Sequence, residues 1–372
     1  MNLKQLKLTN FKNYEYADFL LSPKINCFVG DNGEGKTNVL DAIYYLSFCK
    51  SYFNPVDSQN IRHQQDYFAI HGYYDQDESA DDLITCQLKR NQKKKFKRNQ
   101  KEYDRLADHI GLIPLVMISP YDRDLINDGS ELRRKYIDGV ISQFDKQYLD
   151  NLLNYNKALA QRNFLLKKFA ETGYFDHSAL EIWDSRMIPL ANKLFESRRG
   201  FIDEFIPIFQ HYFEFISEGH EKVSIGYDSQ LLHHDFSQLL SESREKDRAL
   251  RYTSTGIHKD DLAFHIEGYP FKKFGSQGQQ KSFVIAIKLA QFDYIRDIKK
   301  AKPILLFDDI FDKLDQRRVA QLIKLVSQDS FGQVFITDTQ YDRIKRVFEE
   351  VEIDHKIFFI KEGTIERQTN GI

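Results

Sequence analysis

Apolar and polar residues alternate through "LKQLKLT" (Leu3 to Thr9), the two-residue period of a half-buried strand. "YADFLL" and "KINCFVG" come next as further strand candidates, and "TNVLDAIYYLSFC" then reads as a helix. More strand-like pieces lie between Tyr67 and Leu88, broken by the acidic turn "DQDESADD". "LIPLVMISP", ending at Pro120, has the short apolar run of a buried strand. The period then changes. Ile137, Val140, Ile141, Phe144 and Tyr148 recur at helical offsets, and helical texture extends over residues 121–220. Pro189 and Pro207 are expected to kink or break it. Strand texture returns with "KVSIGYDS" (Lys222 to Ser229), a polar helix candidate "SESREKDRAL" precedes Arg251, and α and β segments alternate to the end. This pattern predicts an α/β domain built from residues 1–120 and 251–372. A mainly helical arm over 121–250 interrupts it, returning between 220 and 250.

Composition narrows the setting. A chain of 372 residues has room for a core that needs no disulfides. The three cysteines, Cys27, Cys49 and Cys86, are widely spaced, which fits a reducing, cytoplasmic setting. The N-terminus lacks the apolar run of a signal peptide, and no stretch approaches the roughly 18 apolar residues of a membrane span, so no membrane partner is expected. A net charge of −2 means that any nucleic-acid surface must be a local patch.

The chemistry begins at "GDNGEGKTN". Gly30, Gly35, Lys36 and Thr37 meet the phosphate-loop pattern GxxxxGK[ST], with Asp31, Asn32, Gly33, Glu34 and Asn38 in or beside it. Glycines let successive N–H groups curl toward phosphate oxygens, and the helix after the loop turns its positive end to them. Lys36 can reach the β- and γ-phosphates, and the Thr37 hydroxyl can ligate Mg²⁺. The loop by itself implies a nucleoside triphosphate; the cofactors expected, ATP and Mg²⁺, depend on the carboxylates that follow.

A phosphate loop needs an acidic partner for its metal. In "KPILLFDDIFDKLD" the apolar run Ile304 to Phe307 reads as a buried strand, with Asp308 and Asp309 at its C-terminal end. Asp308 is placed to hold Mg²⁺, and Asp309 to orient or deprotonate an attacking water. A carboxylate directly after the metal aspartate is an arrangement of ABC-type ATPases, usually as glutamate, and leans toward hydrolysis.

"FGSQGQQKSFVIAIKLAQ" stands about 30 residues earlier. Ser276, Gln277 and Gly278 present a hydroxyl and a glycine backbone at the start of a helix, a second anion-binding arrangement. One nucleotide needs one phosphate loop, so this segment makes sense if it serves the ATP of another subunit. The plainer alternative is a capping box, Ser276 being the cap with Gln279 three residues on.

These motifs together resemble the ABC-type ATPases of chromosome maintenance, and most closely the RecF family. The likeness spans nearly the whole chain: the opening through "YYLS", the stretch from "ISPYDRDL" to "AQRN", "TSTGIHKDDL" through "KLAQ", and "PILLFDDIFDKLDQRR". Ser130 stands where the family usually has proline, and Lys259 and Lys281 where it often has arginine. The resemblance implies an ABC-type P-loop ATPase head with an inserted α-helical arm. It implies a homodimer formed on ATP, with Ser276–Gly278 of one copy capping the nucleotide of the other. Asp315 falls at the family's D-loop aspartate and Thr337 near the switch position. The implied role is a weak DNA-dependent ATPase of DNA repair, replication restart and the SOS response. It would bind double-stranded or gapped DNA or a single-strand/double-strand junction, and act with a RecR-type mediator to load recombinase. An ATP-binding DNA clamp that barely hydrolyses and a transporter-type ATPase subunit are the alternatives.

The densest positive run is "KRNQKKKFKRNQK" (Lys89 to Lys101), with eight basic residues and no acidic one. Lys93, Lys94, Lys95, Lys97 and Arg98 read either as a phosphate-contacting edge or as a hairpin blunted by lysine against edge pairing. Arg133 and Arg134 are a second candidate cluster.

Overall fold

The structure, a computed structural model, describes residues 1–76, 79–219, 221–310, 316–349 and 354–371. The alternating opening forms β1 (Asn2–Phe11), which turns at Lys12 and Asn13 into β2 (Tyr14–Leu20). The apolar run β3 (Ile25–Val29) leads through the glycine loop into α1 (Lys36–Phe48). Then come β4 (Tyr67–Gln76), β5 (Ser79–Lys89), the short β6 (Lys95–Arg98) and β7 (Lys101–Glu102), and β8 (Leu115–Ile118). The helical stretch is α2 (Asp124–Asn127), α3 (Ser130–Ile141), α4 (Lys146–Thr172) and α5 (His177–Ser217). After it stand β9 (Val223–Asp228), α6 (Phe236–Glu242), α7 (Arg244–Leu250), β10 (Asp261–Ile266), β11 (Tyr269–Pro270) and α8 (Phe271–Phe274). The chain closes with α9 (Gln277–Lys299), β12 (Ile304–Phe307), α10 (Gln316–Val326), β13 (Val334–Asp338), α11 (Tyr341–Glu349), β14 (His355–Lys361) and β15 (Thr364–Gly371).

Two compact units divide the chain, Met1–Asp122 with Lys288–Ile372, and Arg123–Ile287. The first holds two six-stranded sheets. One is antiparallel, in the order β2-β1-β4-β5-β6-β7. The other runs β15-β14-β3-β13-β12-β8, parallel except for β15. The parallel strands are continuous apolar runs because both faces are covered, and all residues of β3, β8, β12 and β13 are buried. Leu6 and Leu8 of β1, Val39 and Ile43 of α1, and Phe28, Phe335 and Phe358 of the parallel sheet share one core. Phe28 stacks on both Phe335 and Phe358. That core holds β3, β12 and β13 side by side, so their C-terminal ends open at one edge.

The second unit contains the helical hairpin α4–α5 and the sheet β11-β10-β9. Its interior carries charge. Arg162 has no exposure and donates to Asp184 at 2.6 Å, Asp247 at 2.7 Å and Thr253 at 2.9 Å. Arg198 bridges Asp138 and Asp260, each at 2.8 Å.

Residues 251–287, given to the ATPase head by the sequence pattern, fall in the second compact unit together with the long helices. β9 pairs with β10 in antiparallel register, and Asp247 and Asp260 answer the arm's two buried arginines. Pro189 and Pro207 do not break α5, which continues through both for 41 residues. Each proline removes one backbone bond, while Met187, Ala191, Phe205 and Phe209 on either side are buried, and packing outweighs the local loss.

Candidate nucleotide site

The loop from Gly30 to Asn38 joins the C-terminal end of β3 to the N-terminus of α1. Gly35 has φ 114°, and a Cβ there would lie 2.5 Å from Asn13 Nδ2. A side chain on Gly30 would strike the carbonyl of Ile360 in β14. Both glycines are thus set by close neighbours as well as by the turn. Asp31, Asn32 and Gly33 are exposed at the crest, with Glu34 half-buried. Lys36 is buried, and its Nζ donates to the carbonyls of Gly30 and Asp31, each at 2.7 Å. Burial lowers its pKa, while Asp309, Asp308 and Asp31 push the other way. The ammonium is therefore held inside the loop's curve, where phosphate oxygens would meet it.

Asp308 directly follows β12, which pairs with β13, itself a neighbour of β3. Thr37 Oγ1 donates to Asp308 Oδ1 at 2.7 Å, and Thr337 Oγ1 donates to the same oxygen at 3.0 Å. Burial raises the Asp308 pKa. The two hydroxyls oppose that shift, the Asp309 charge adds to it and Lys36 opposes it. Asp309 has φ 46°, unusual for a residue with a Cβ, and its N–H donates to Thr337 Oγ1 at 2.9 Å. Thr337 thus ties both carboxylate residues to the end of β13. Asp338 beside it is buried and paired to Arg343 at 2.7 Å.

Sequence reasoning missed the braces of the loop. Asn13 Nδ2 donates to the Glu34 carbonyl at 2.9 Å, and Asn38 Nδ2 donates to Asn13 Oδ1 at 2.8 Å. Gly363 N–H reaches the same Glu34 carbonyl at 2.9 Å, and Glu362 N–H donates to the Glu34 carboxylate. The turn β1–β2 and the turn β14–β15 therefore grip the loop. A cleft of about 910 Å³ adjoins it, lined among others by Lys12, Asn13, Asn38, Arg62 and His63. The signal for Asn13 was an asparagine in a strand turn with no helix to cap, visible only once its partner is known.

Ser276, Gln277 and Gly278 are exposed at the start of α9. The capping box is formed: Ser276 N–H donates to Gln279 Oε1 at 2.7 Å, and Gln279 N–H donates to Ser276 Oγ at 3.3 Å. The cap leaves Gly278 open, with no atom beyond its own turn of helix within 4 Å of where a Cβ would stand. Asp315 lies outside the described residues.

The basic candidates divide. Lys93 and Lys95 are exposed and Lys97 is half-buried. Lys94 turns inward, donating to the Cys49 carbonyl at 2.5 Å and to Asp57 at 2.7 Å. Arg98 pairs with Asp82 at 2.6 Å. Arg133 holds Asp261 with two hydrogen bonds, at 2.6 and 3.0 Å, and Arg134 donates to the Asp260 carbonyl at 2.5 Å. The charge of Lys94, Arg98 and Arg133 is thus answered within the chain. Among the described residues, no group of three or more His, Cys, Asp or Glu could hold a metal, and no helix is long and apolar enough to cross a membrane.

The family model described as RecF/RecN/SMC N terminal domain matches residues 2–365. The chain is 50% identical over 366 residues to the DNA replication and repair protein RecF of Phocaeicola vulgatus, covering 98% of each. It is 51% identical over 358 residues to that of Flavobacterium johnsoniae, covering 96% of this chain and 99% of the relative. The chain belongs to the RecF family. A solved structure of the recombination mediator protein RecF-ATP in the RecFOR pathway superposes with a TM-score of 0.87 at 28% identity, covering all of this chain and 98% of the other. The RecF fold here is an ABC-type ATPase head with a helical arm, as the resemblance implies.

Proposed function

We propose that this chain is an ATP-dependent DNA-binding repair protein that acts as a recombination mediator in the cytoplasm. The observation that carries the nucleotide part is the meeting of Lys36, Thr37, Asp308 and Thr337 at the ends of three neighbouring parallel strands. The backbone from Gly30 to Asn38 would cradle the phosphates, and Lys36 would exchange its loop carbonyls for β- and γ-phosphate oxygens. Thr37 and Asp308 offer two hard oxygen donors already 2.7 Å apart, a set that suits Mg²⁺ completed by phosphate and water. Bound there, Mg²⁺ would neutralise charge developing on the phosphates. Asp309 would orient or deprotonate the attacking water. It is one methylene shorter than the glutamate common at this position, which favours slow turnover. The polar cleft beside Asn13 and Asn38 has room for base and ribose.

Ser276 and Gly278, exposed at a helix start, would cap the γ-phosphate held by a second copy, so that ATP drives dimerisation. The dimer would bind double-stranded, gapped or junction DNA and, with a RecR-type partner, help load recombinase. RecF relatives named for DNA replication and repair, and a RecF-ATP structure assigned to the RecFOR pathway, support this reading.

ATP-dependent retention on gapped duplex DNA tests it, comparing the parent with Lys36→Arg and Asp309→Asn. Lys36→Arg should lose the ATP-stimulated retention. Asp309→Asn should keep DNA binding and release slowly. Equal retention in all three, with and without ATP, would overturn the proposal.

A further inference from the structure

A buried polar chain runs from the phosphate-loop helix to the helix that begins after Ser276. Asp41, on α1, has no exposure and accepts from Lys12 Nζ at 2.6 Å, Ser51 Oγ at 2.6 Å and the Tyr52 N–H at 2.7 Å. The Tyr52 hydroxyl donates to Asp122 Oδ1 at 2.6 Å. The same oxygen accepts from Lys288 Nζ, on α9, at 2.6 Å, while Asp122 Oδ2 takes the Ser119 N–H at 2.7 Å. The Asp122 and Lys288 side chains are only 4% and 7% exposed.

The position of this chain gives it reach. Ser119 directly succeeds β8, and the N–H of Asp308 donates to the Ile118 carbonyl at 2.8 Å. Burial and Asp122 raise the Tyr52 pKa, and the charge of Asp308 adds a smaller contribution in the same direction. Lys288 stands about three helical turns along α9 from its first residue, Gln277. A buried ion pair is a weak source of stability compared with apolar packing of the same volume, but it demands one geometry.

We infer that Asp122, clamped between Tyr52 and Lys288, is a positioning residue that sets the signature helix against the state of the nucleotide loop. This rests on the proposed ATP-dependent dimer, since the helix acts on the nucleotide of a second copy. Loss of the clamp leaves the loop able to bind ATP but lets α9 present Ser276 poorly. Affinity of one chain for ATP is then spared, while dimerisation and turnover fall.

The test compares parent, Tyr52→Phe, Asp122→Asn, Lys288→Met and Lys288→Arg in nucleotide affinity, ATP-dependent sedimentation, turnover and thermal midpoint. Tyr52→Phe and Lys288→Met should keep ATP affinity within about twofold and lose on the order of tenfold in dimerisation and kcat. Lys288→Arg, which keeps the ion pair, should recover most of both. If Asp122→Asn fails to fold, the variants at Tyr52 and Lys288 decide alone. A parent that does not dimerise with ATP would sink the dimer reading itself. A parent that dimerises, with Tyr52→Phe and Lys288→Met equal to it in kcat, would sink this inference alone. So would ATP affinity falling in step with kcat and thermal midpoint, since that marks a purely structural role.

Discussion

Thr37 Oγ1 donates a 2.7 Å hydrogen bond to Asp308 Oδ1, joining two residues 271 positions apart. The hydroxyl begins the phosphate-loop helix and the carboxylate directly follows a parallel strand, so the bond joins, across the sheet edge, the two residues proposed to hold Mg²⁺. Asp308 reaches this position at an energetic cost that its pKa direction makes measurable.

Burial raises the folded-state pKa of Asp308 above its ordinary value of 3.8. A carboxyl raised in this way favours the folded state while protonated. That contribution is complete below pH 3.8 and is lost as pH climbs through the raised folded value. At neutral pH the ionised group is therefore a burden on the nucleotide-free protein. Asp308→Asn keeps an oxygen to accept from Thr37 and Thr337 and removes the charge. Thermal unfolding at pH 7 without nucleotide should show a higher midpoint for the variant, and the gain should shrink on acidification. The variant should also lose the extra midpoint that Mg²⁺ with ATP gives the parent.

Two histidines, His109 buried and His258 half-buried, act in the opposite direction. Burial holds His109 down to about 4, its Nε2 lying 2.7 Å from the Leu46 carbonyl, and burial likewise holds His258 down to about 4. Each stays neutral when folded but protonates near 6.5 when unfolded. The stability they contribute is full above pH 6.5 and is lost as pH falls toward 4. Within that window each steepens the pH dependence by roughly 1.4 kcal/mol per pH unit. Denaturant titrations of His109→Gln and His258→Gln across it should each show a shallower slope than the parent. An unchanged slope in both would exclude neutral burial as the cause.

Arg162 offers a test of the arm. Its guanidinium answers Asp184 and Asp247, both buried, so Arg162→Met leaves two carboxylates without their cation. A loss of about 3–5 kcal/mol is expected in urea unfolding. Adding Asp184→Leu and Asp247→Leu should recover part of it, because the cost lies in the stranded charges.

What could be read from the chain was whatever is encoded within a few residues. Gly30 to Thr37 carry their own geometric requirement, and Ile304 to Asp309 show a buried strand with carboxylates at its end. The order of these motifs was enough for the fold class. Pairings over long separations left no local trace. Asn13 braces Glu34 from another strand turn, and Gly363 does so from the far end of the chain. The second unit's limit at Ile287 depends on β9 meeting β10 and on Asp247 and Asp260 meeting arginines of the arm. Pro189 and Pro207 leave α5 unbroken because the local loss is outweighed by the packing of Phe205 and Phe209.

The basic run separates by the same logic, and DNA binding reads out the difference. Lys93 and Lys95 project outward, whereas Lys94 is only 10% exposed and sits on the Cys49 carbonyl at the end of α1. A lysine that neutralises a duplex phosphate releases counterions and steepens the salt dependence by about 0.9 in log–log slope. Lys93→Gln with Lys95→Gln should therefore lower that slope by roughly 2 while leaving the thermal midpoint near the parent's. Lys94→Gln should do the reverse. It removes the donor from Asp57 and from the α1 terminus, costing about 1–3 kcal/mol of stability, with the slope unchanged. Filter retention over a range of salt, paired with thermal unfolding, distinguishes the two. If the double variant kept the parent's slope, this hairpin would be a blunted sheet edge and not a DNA contact.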